Sequence, residues 1–95
     1  MRFEWDPDKD ATNQEKHGLA FAEAATLFES GVDYLELYDE AHSDEEDRFI
    51  AIGPIVRGVI VVVHTEREDE VVRIISARFA TKREVELSRA HMEEQ

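Results

Sequence analysis

Apolar and polar residues alternate along this chain with two different periods, and each change of period marks an element. Arg2-Phe3-Glu4-Trp5 alternates with the two-residue period of a short strand. Asp6 then offers an N-cap, with Pro7 at the first helical position and Asp8 and Asp10 at the positive end of the dipole, so a helix runs from about residue 7 to 17 and stops at Gly18. Residues 20–29 (AFAEAATLFE) space Phe21, Ala24, Ala25 and Phe28 for a second helix, with Leu27 widening the apolar stripe. Residues 32–38 alternate weakly as a strand, and 39–47 are too polar to bury and form a solvated loop. Three β-branched runs follow, at 48–55, 58–67 and 71–78. Thr81 and Glu84 then form a capping-box pattern that opens a last helix. The order β-α-α-β-β-β-β-α predicts one α+β domain over 1–95, with helices against one face of a mainly antiparallel sheet.

The turn between the last two strands decides which side chains share a face. If the hairpin centres on Glu68-Asp69, His64 faces Arg73 and Glu66 faces Val71, which puts Glu66, His64 and Arg73 together. Thr65 then faces Val72 on the other side, with Arg67 and Arg78. A carboxylate, an imidazole and a guanidinium on one open face suit base, acid and charge clamp in phosphodiester cleavage. They also suit a solvated salt-bridge ladder of little energetic weight, which is what most half-exposed strand charges form.

Charge sharpens this picture. The formal net charge is -12, and all of it falls in residues 1–47, where three basic residues meet fifteen acidic ones; residues 48–95 hold eight of each. Residues 71–92 carry Arg73, Arg78, Lys82, Arg83 and Arg89 against Glu84 and Glu86. An acidic chain repels nucleic acid globally, so an RNA site needs local cations of that kind. Lys82 and Arg83 oppose the dipole at a helix start, which points to an anionic partner. Lys9 and Lys16 lie seven residues apart on one helix face with Asn13 between them. Lys16 and His17 suit either the negative end of the helix or a site, and Trp5 suits either core packing or base stacking.

The remaining chemistry is bounded by absence. There is no cysteine, so no disulfide framework or thiolate site exists, and an intracellular, cytoplasmic setting is expected. The longest apolar run, Val59 to Val63, is far too short to span a membrane. The four histidines are scattered and suggest no metal constellation, and no Gly-rich phosphate loop or serine triad stands out.

The segments EWDPDKDATNQEKHGLAFAEAATLF, RFIAIG, VVVHTERE and RIISARFATKRE, taken in order, resemble the BrnT toxin family over nearly the whole chain. Its Trp-Asp-x-x-Lys start falls on Trp5, Asp6 and Lys9, and its Asn-x-x-Lys-His-Gly signature on Asn13, Lys16, His17 and Gly18. Thr65-Glu66-Arg67, Ser76-Ala77-Arg78 and Arg83-Glu84 match its later signatures. Many relatives carry a tyrosine shortly after that last pair, where this chain has Glu86, Leu87 and Ser88.

The resemblance implies a RelE-like fold and a ribonuclease toxin of a type II toxin–antitoxin system. It implies cleavage of RNA without metal or cofactor, arrest of translation, and neutralisation by a BrnA-like antitoxin in a hetero-oligomer of two-fold symmetry. The catalytic residues expected are Lys16, His17, Glu66, Arg67 and Arg78: His17 or Glu66 as base, Lys16 or His17 as acid, and the arginines as charge stabilisers. Trp5, Lys9, Arg73, Lys82 and Arg83 are expected to bind RNA. The alternative is a non-catalytic module that binds only a partner protein.

Overall fold

Asp6 accepts a hydrogen bond from the Asp8 amide at 2.9 Å, Pro7 takes the first helical position, and Gly18 closes the helix in the left-handed region at φ 65°. These local signals set α1 (Pro7–His17) where the capping residues predict it. The computed structural model describes residues 1–94. Upstream of α1 lies β1 (Arg2–Glu4). The helix expected over 20–29 divides into α2 (Phe21–Ala24) and α3 (Thr26–Glu29). At the joint, the Thr26 hydroxyl donates to the Glu23 carbonyl at 2.6 Å, competing with the helical ladder.

The strands follow as β2 (Leu35–Tyr38), β3 (Phe49–Ile55), β4 (Gly58–Arg67) and β5 (Val71–Phe79), and α4 (Lys82–Glu93) ends the chain's regular structure. β2 begins three residues later than the expected start at 32. The sheet runs β1-β5-β4-β3-β2, with every pair antiparallel except β1 and β5, which are parallel.

Ile60 and Val62 of β4 share a face with Val72, Ile74 and Ala77 of β5, and Leu19, Phe21, Ala24 and Leu27 close over it as one buried cluster. Each large side chain so buried contributes roughly 1.5–3 kcal/mol. On β3 this face carries Ala51 and Gly53; a Cβ at Gly53 would lie 2.7 Å from Leu27 and Tyr34, so only glycine lets α3 and Tyr34 approach. The expectation that all helices share one face holds for α1 to α3. The last helix crosses the opposite face, joined through Arg78 and Glu84, with buried Ser88 donating to the Ile52 carbonyl at 3.5 Å.

α1 has almost no apolar surface, and its one buried residue is Asn13. β1 pairs with β5 only as far as Arg73, which leaves the outer edge of β5 open beyond that point. Asn13 fills the gap as a missing strand would. Its Nδ2 donates to the Ala77 carbonyl at 2.7 Å and the Leu19 carbonyl at 2.8 Å, and its Oδ1 accepts from the Ala77 amide at 3.1 Å. Two further polar ties hold the helix: Asp10 accepts from the Phe21 amide at 2.9 Å, and Arg57, forked onto Glu23, donates to the Gly18 carbonyl at 2.8 Å.

The β4–β5 register differs from the expected one in two places. Arg67 pairs with Val71 across a three-residue turn, Glu68–Glu70, in which Asp69 and Glu70 take φ of 62° and 60°. This shifts the pairing by one, so Arg73 faces Thr65 rather than His64. A bulge then leaves Ile75 unpaired between the His64–Ile74 and Val63–Ser76 pairs. The second shift restores parity, and Arg78, opposite Val61, returns to the face of Arg67 as expected.

Asn13→Ala removes three buried hydrogen bonds and is expected to cost about 2–4 kcal/mol in a denaturant titration, with Asn13→Asp costing at least as much because its carboxylate faces two carbonyl oxygens. Glu84 is held down to a pKa of about 2, first by the Arg78 hydrogen bonds and then by Thr81. A depressed carboxyl contributes stability above its unfolded value that is lost as pH falls through its folded one. The thermal midpoint is therefore expected to drop between about pH 4.5 and pH 2, and Glu84→Gln is expected to flatten that part of the profile.

Candidate functional site

The bulge at Ile75 and the polar anchoring of α1 together create a groove of about 320 Å³ between helix and strand, lined by Lys9, Lys16, His17, Ile75 and Ser76 among others. Lys9, Lys16 and His17 are exposed. The seven-residue spacing of the two lysines keeps both on the groove side, as the helical repeat requires. The imidazole and the two ammonium groups thus share one solvent-filled cleft.

Ser76 joins this groove to the sheet. Along β5 Ser76 shares its face with Arg73 and Arg78, so one wall residue of the groove stands between two arginines of the strand. Arg67, paired with Val71, lies two residue pairs beyond the Thr65–Arg73 pair and so on the same face as Arg73. Carboxylates orient each guanidinium. Glu4 lies 3.0 Å from Arg67 and 3.8 Å from Arg73, and Glu46 lies 3.5 Å from Arg67. Arg78 makes a two-pronged contact with Glu84 at 2.7 and 2.8 Å, which raises the arginine's pKa while lowering the acid's. Lys82 and Arg83 are exposed on the first turn of α4 beside this pair.

One residue of this face escaped the sequence reading. Arg48 lies one position beyond the Phe49–His64 pair, which sets it beside Thr65. Its Nε and the Thr65 Oγ1 are buried without a hydrogen-bond partner among the described residues. The signal available was the alternation of RFIAIG, which sets Arg48 on the parity of Ile50 and Ile52.

Glu66 does not join the arginines' face. It pairs with Val72 and stands on the α1–α3 face with His64. His64 is 1% exposed, in ring contact with Phe28 and Phe49 at 5.0 and 6.0 Å. Burial pushes its pKa down to about 4, so the ring is neutral at physiological pH. Glu36 approaches its Nε2 at 3.6 Å. Burial, and then the charge of Glu66, raise the Glu36 carboxyl above its ordinary value. Trp5 is half-buried and meets Phe21 edge-on at 6.2 Å against the core. Asn13 faces inward rather than along the lysine stripe.

The expected residues therefore divide. Lys9, Lys16 and His17 line the groove, Arg67, Arg73 and Arg78 share the sheet face of its wall residue Ser76, and Lys82 and Arg83 are exposed on α4 beside Arg78. Glu66 stands on the other sheet face with His64 but lines a pocket at the strand end with Arg67 and Glu4, and Trp5 lies at the core boundary. The groove and the arginine face together pair proton-transfer groups with fixed cations, an arrangement suited to a polyanionic substrate.

The chain is similar to known proteins. The family model described as "Ribonuclease toxin, BrnT, of type II toxin-antitoxin system" matches residues 5–84. The crystal structure of the Brucella abortus ribonuclease toxin, BrnT, is similar with a TM-score of 0.64 and 30% identity, over 86% of this chain and 99% of that one. A search of curated proteins finds no match. These two matches, over most of the chain, place it in the BrnT family of ribonuclease toxins of type II toxin–antitoxin systems.

Proposed function

We propose that this toxin cleaves RNA without a metal at the groove between α1 and β5, and that its cationic face is where RNA lies. The observation that carries the reading is that the Lys9–Lys16–His17 groove is walled by Ser76, which stands between Arg73 and Arg78 on one side of β5. Cleavage begins when a base takes the proton of a ribose 2′-hydroxyl, whose oxygen attacks the adjacent phosphorus. The bond to the next nucleotide's 5′-oxygen then breaks, and an acid protonates that oxygen. His17 is the base and Lys16 the acid. Arg67, Arg73 and Arg78 stabilise the charge that gathers on the phosphate oxygens. Glu66, on the other face, takes no part. Lys9, Lys82 and Arg83 bind the flanking phosphates, and Trp5 supports the groove from behind.

A BrnA-like antitoxin blocks this surface in the cytoplasm, in a hetero-oligomer with two-fold symmetry. Exposed Leu37 and Tyr38 on the outer strand β2, and exposed Leu87 and Met92 on α4, supply apolar area for such a partner. Among the described residues no helix is long and apolar enough to cross a membrane.

Purified protein incubated with RNA in EDTA is expected to cleave it. His17→Ala should slow cleavage by roughly 10²–10⁴-fold, the usual range for a general base. Arg78→Ala should slow it by about 10²–10³-fold, as for a lost charge-stabilising donor. Intact RNA with the wild-type chain, alongside a tight complex with the antitoxin, would assign the surface to partner binding alone.

A further inference from the structure

On the face away from the arginines, buried His64 is rimmed by exposed Glu36 of β2 and Glu66 of β4. One donor atom from each lies within 4.8 Å of the others. Both ring nitrogens of this nearly inaccessible histidine lack a hydrogen-bond partner among the described residues. Leaving buried polar atoms unsatisfied costs on the order of 1–3 kcal/mol, so such a group calls for an explanation. We propose that Glu36, His64 and Glu66 hold a divalent transition-metal ion of zinc's class, which ties β2 to β4 across β3.

The geometry favours an ion over a direct contact. His64 Nε2 and the Glu36 carboxylate stand 3.6 Å apart, too far for a hydrogen bond. It is close to the edge of a tetrahedron with metal bonds of 2.0–2.1 Å, about 3.4 Å. A neutral imidazole with a free lone pair and two carboxylates is a donor set of borderline hardness, which suits zinc better than calcium or magnesium. The two carboxylates repel one another, and an ion between them turns that repulsion into attraction. The intervening strand presents the small Ala51 opposite both Glu36 and Val62, while Phe49, the register partner of His64, stacks on the imidazole and holds its ring in place. The ion enters from the exposed rim, and water completes its coordination. The site lies on the sheet face opposite Arg67, Arg73 and Arg78 and uses no residue of the proposed cleavage groove, so it serves the fold and does not rest on the RNA-cleaving reading.

The test uses the full chain stripped with EDTA and titrated with zinc alone by calorimetry, with magnesium and calcium as comparisons. One equivalent of zinc is expected, with a rise in thermal midpoint as binding to the folded state requires. Cobalt in its place should give the visible absorption of a four-coordinate ion. Glu36→Gln and Glu66→Gln, both at exposed rim positions, should each weaken zinc binding at least tenfold. His64→Gln should abolish it; if that variant does not fold, the two rim variants decide. Asp39→Asn, which alters the separate His42–Asp39 pair, should leave binding unchanged. Absence of stoichiometric binding, or zinc affinity unmoved by both rim variants, overturns the proposal.

Discussion

A single buried amide decides whether α1 belongs to this domain. Helices of globular proteins usually dock through an apolar stripe, but PDKDATNQEKH has none to offer. Asn13 substitutes for it by satisfying both backbone groups of Ala77 and the carbonyl of Leu19. The arrangement is directional where hydrophobic packing is not, since an amide bonded at three points fixes both the rotation of the helix and its height along β5. Asp10 and Arg57 secure the two ends of the following connection. The cations of α1 are therefore aimed by hydrogen bonds rather than by the core.

That constraint also explains how an acidic chain carries a cationic surface. The acidic residues of the first half lie largely on loops and on outer helix faces, while β5 sends its arginines to the side opposite the core. Glu4, Glu46 and Glu84 sit among them and hold each guanidinium in a set orientation, at the expense of net positive charge. Long-range attraction for RNA is weak in such a molecule. On the proposed reading, recognition rests instead on short-range contacts within the groove, where a few fixed donors act together.

How much of this was legible in the sequence followed the range of the interactions involved. Caps and stops are local, so Asp6-Pro7, Gly18 and the Thr81–Glu84 box placed α1 and α4 correctly. Alternation placed β3, β4 and β5 to within a residue. The pairing of β4 with β5 was not legible, because Asp69 and Glu70 adopt left-handed conformations that the residues EDE do not advertise. Nor does the uniform run VVRIIS mark Ile75 as the extra residue. As a result Arg67 and Arg78 were assigned to the right face, Arg73 to the wrong one, and the convergence of Glu36 with His64 across an intervening strand went unseen. Asn13 fell on the right helix, but only the tertiary contact with Ala77 reveals why it is an asparagine.

The unpaired Ile75 has a bearing on how this chain is compared with others. Alternate residues of a strand point to opposite sides, and β5 changes its phase in the middle. Matching the strand to a relative without the extra residue, and placing the one-residue gap wrongly, would exchange the inward and outward positions over every residue between the true and assumed gaps. Equivalence of arginines between family members is thus a question of strand phase before it is one of residue identity.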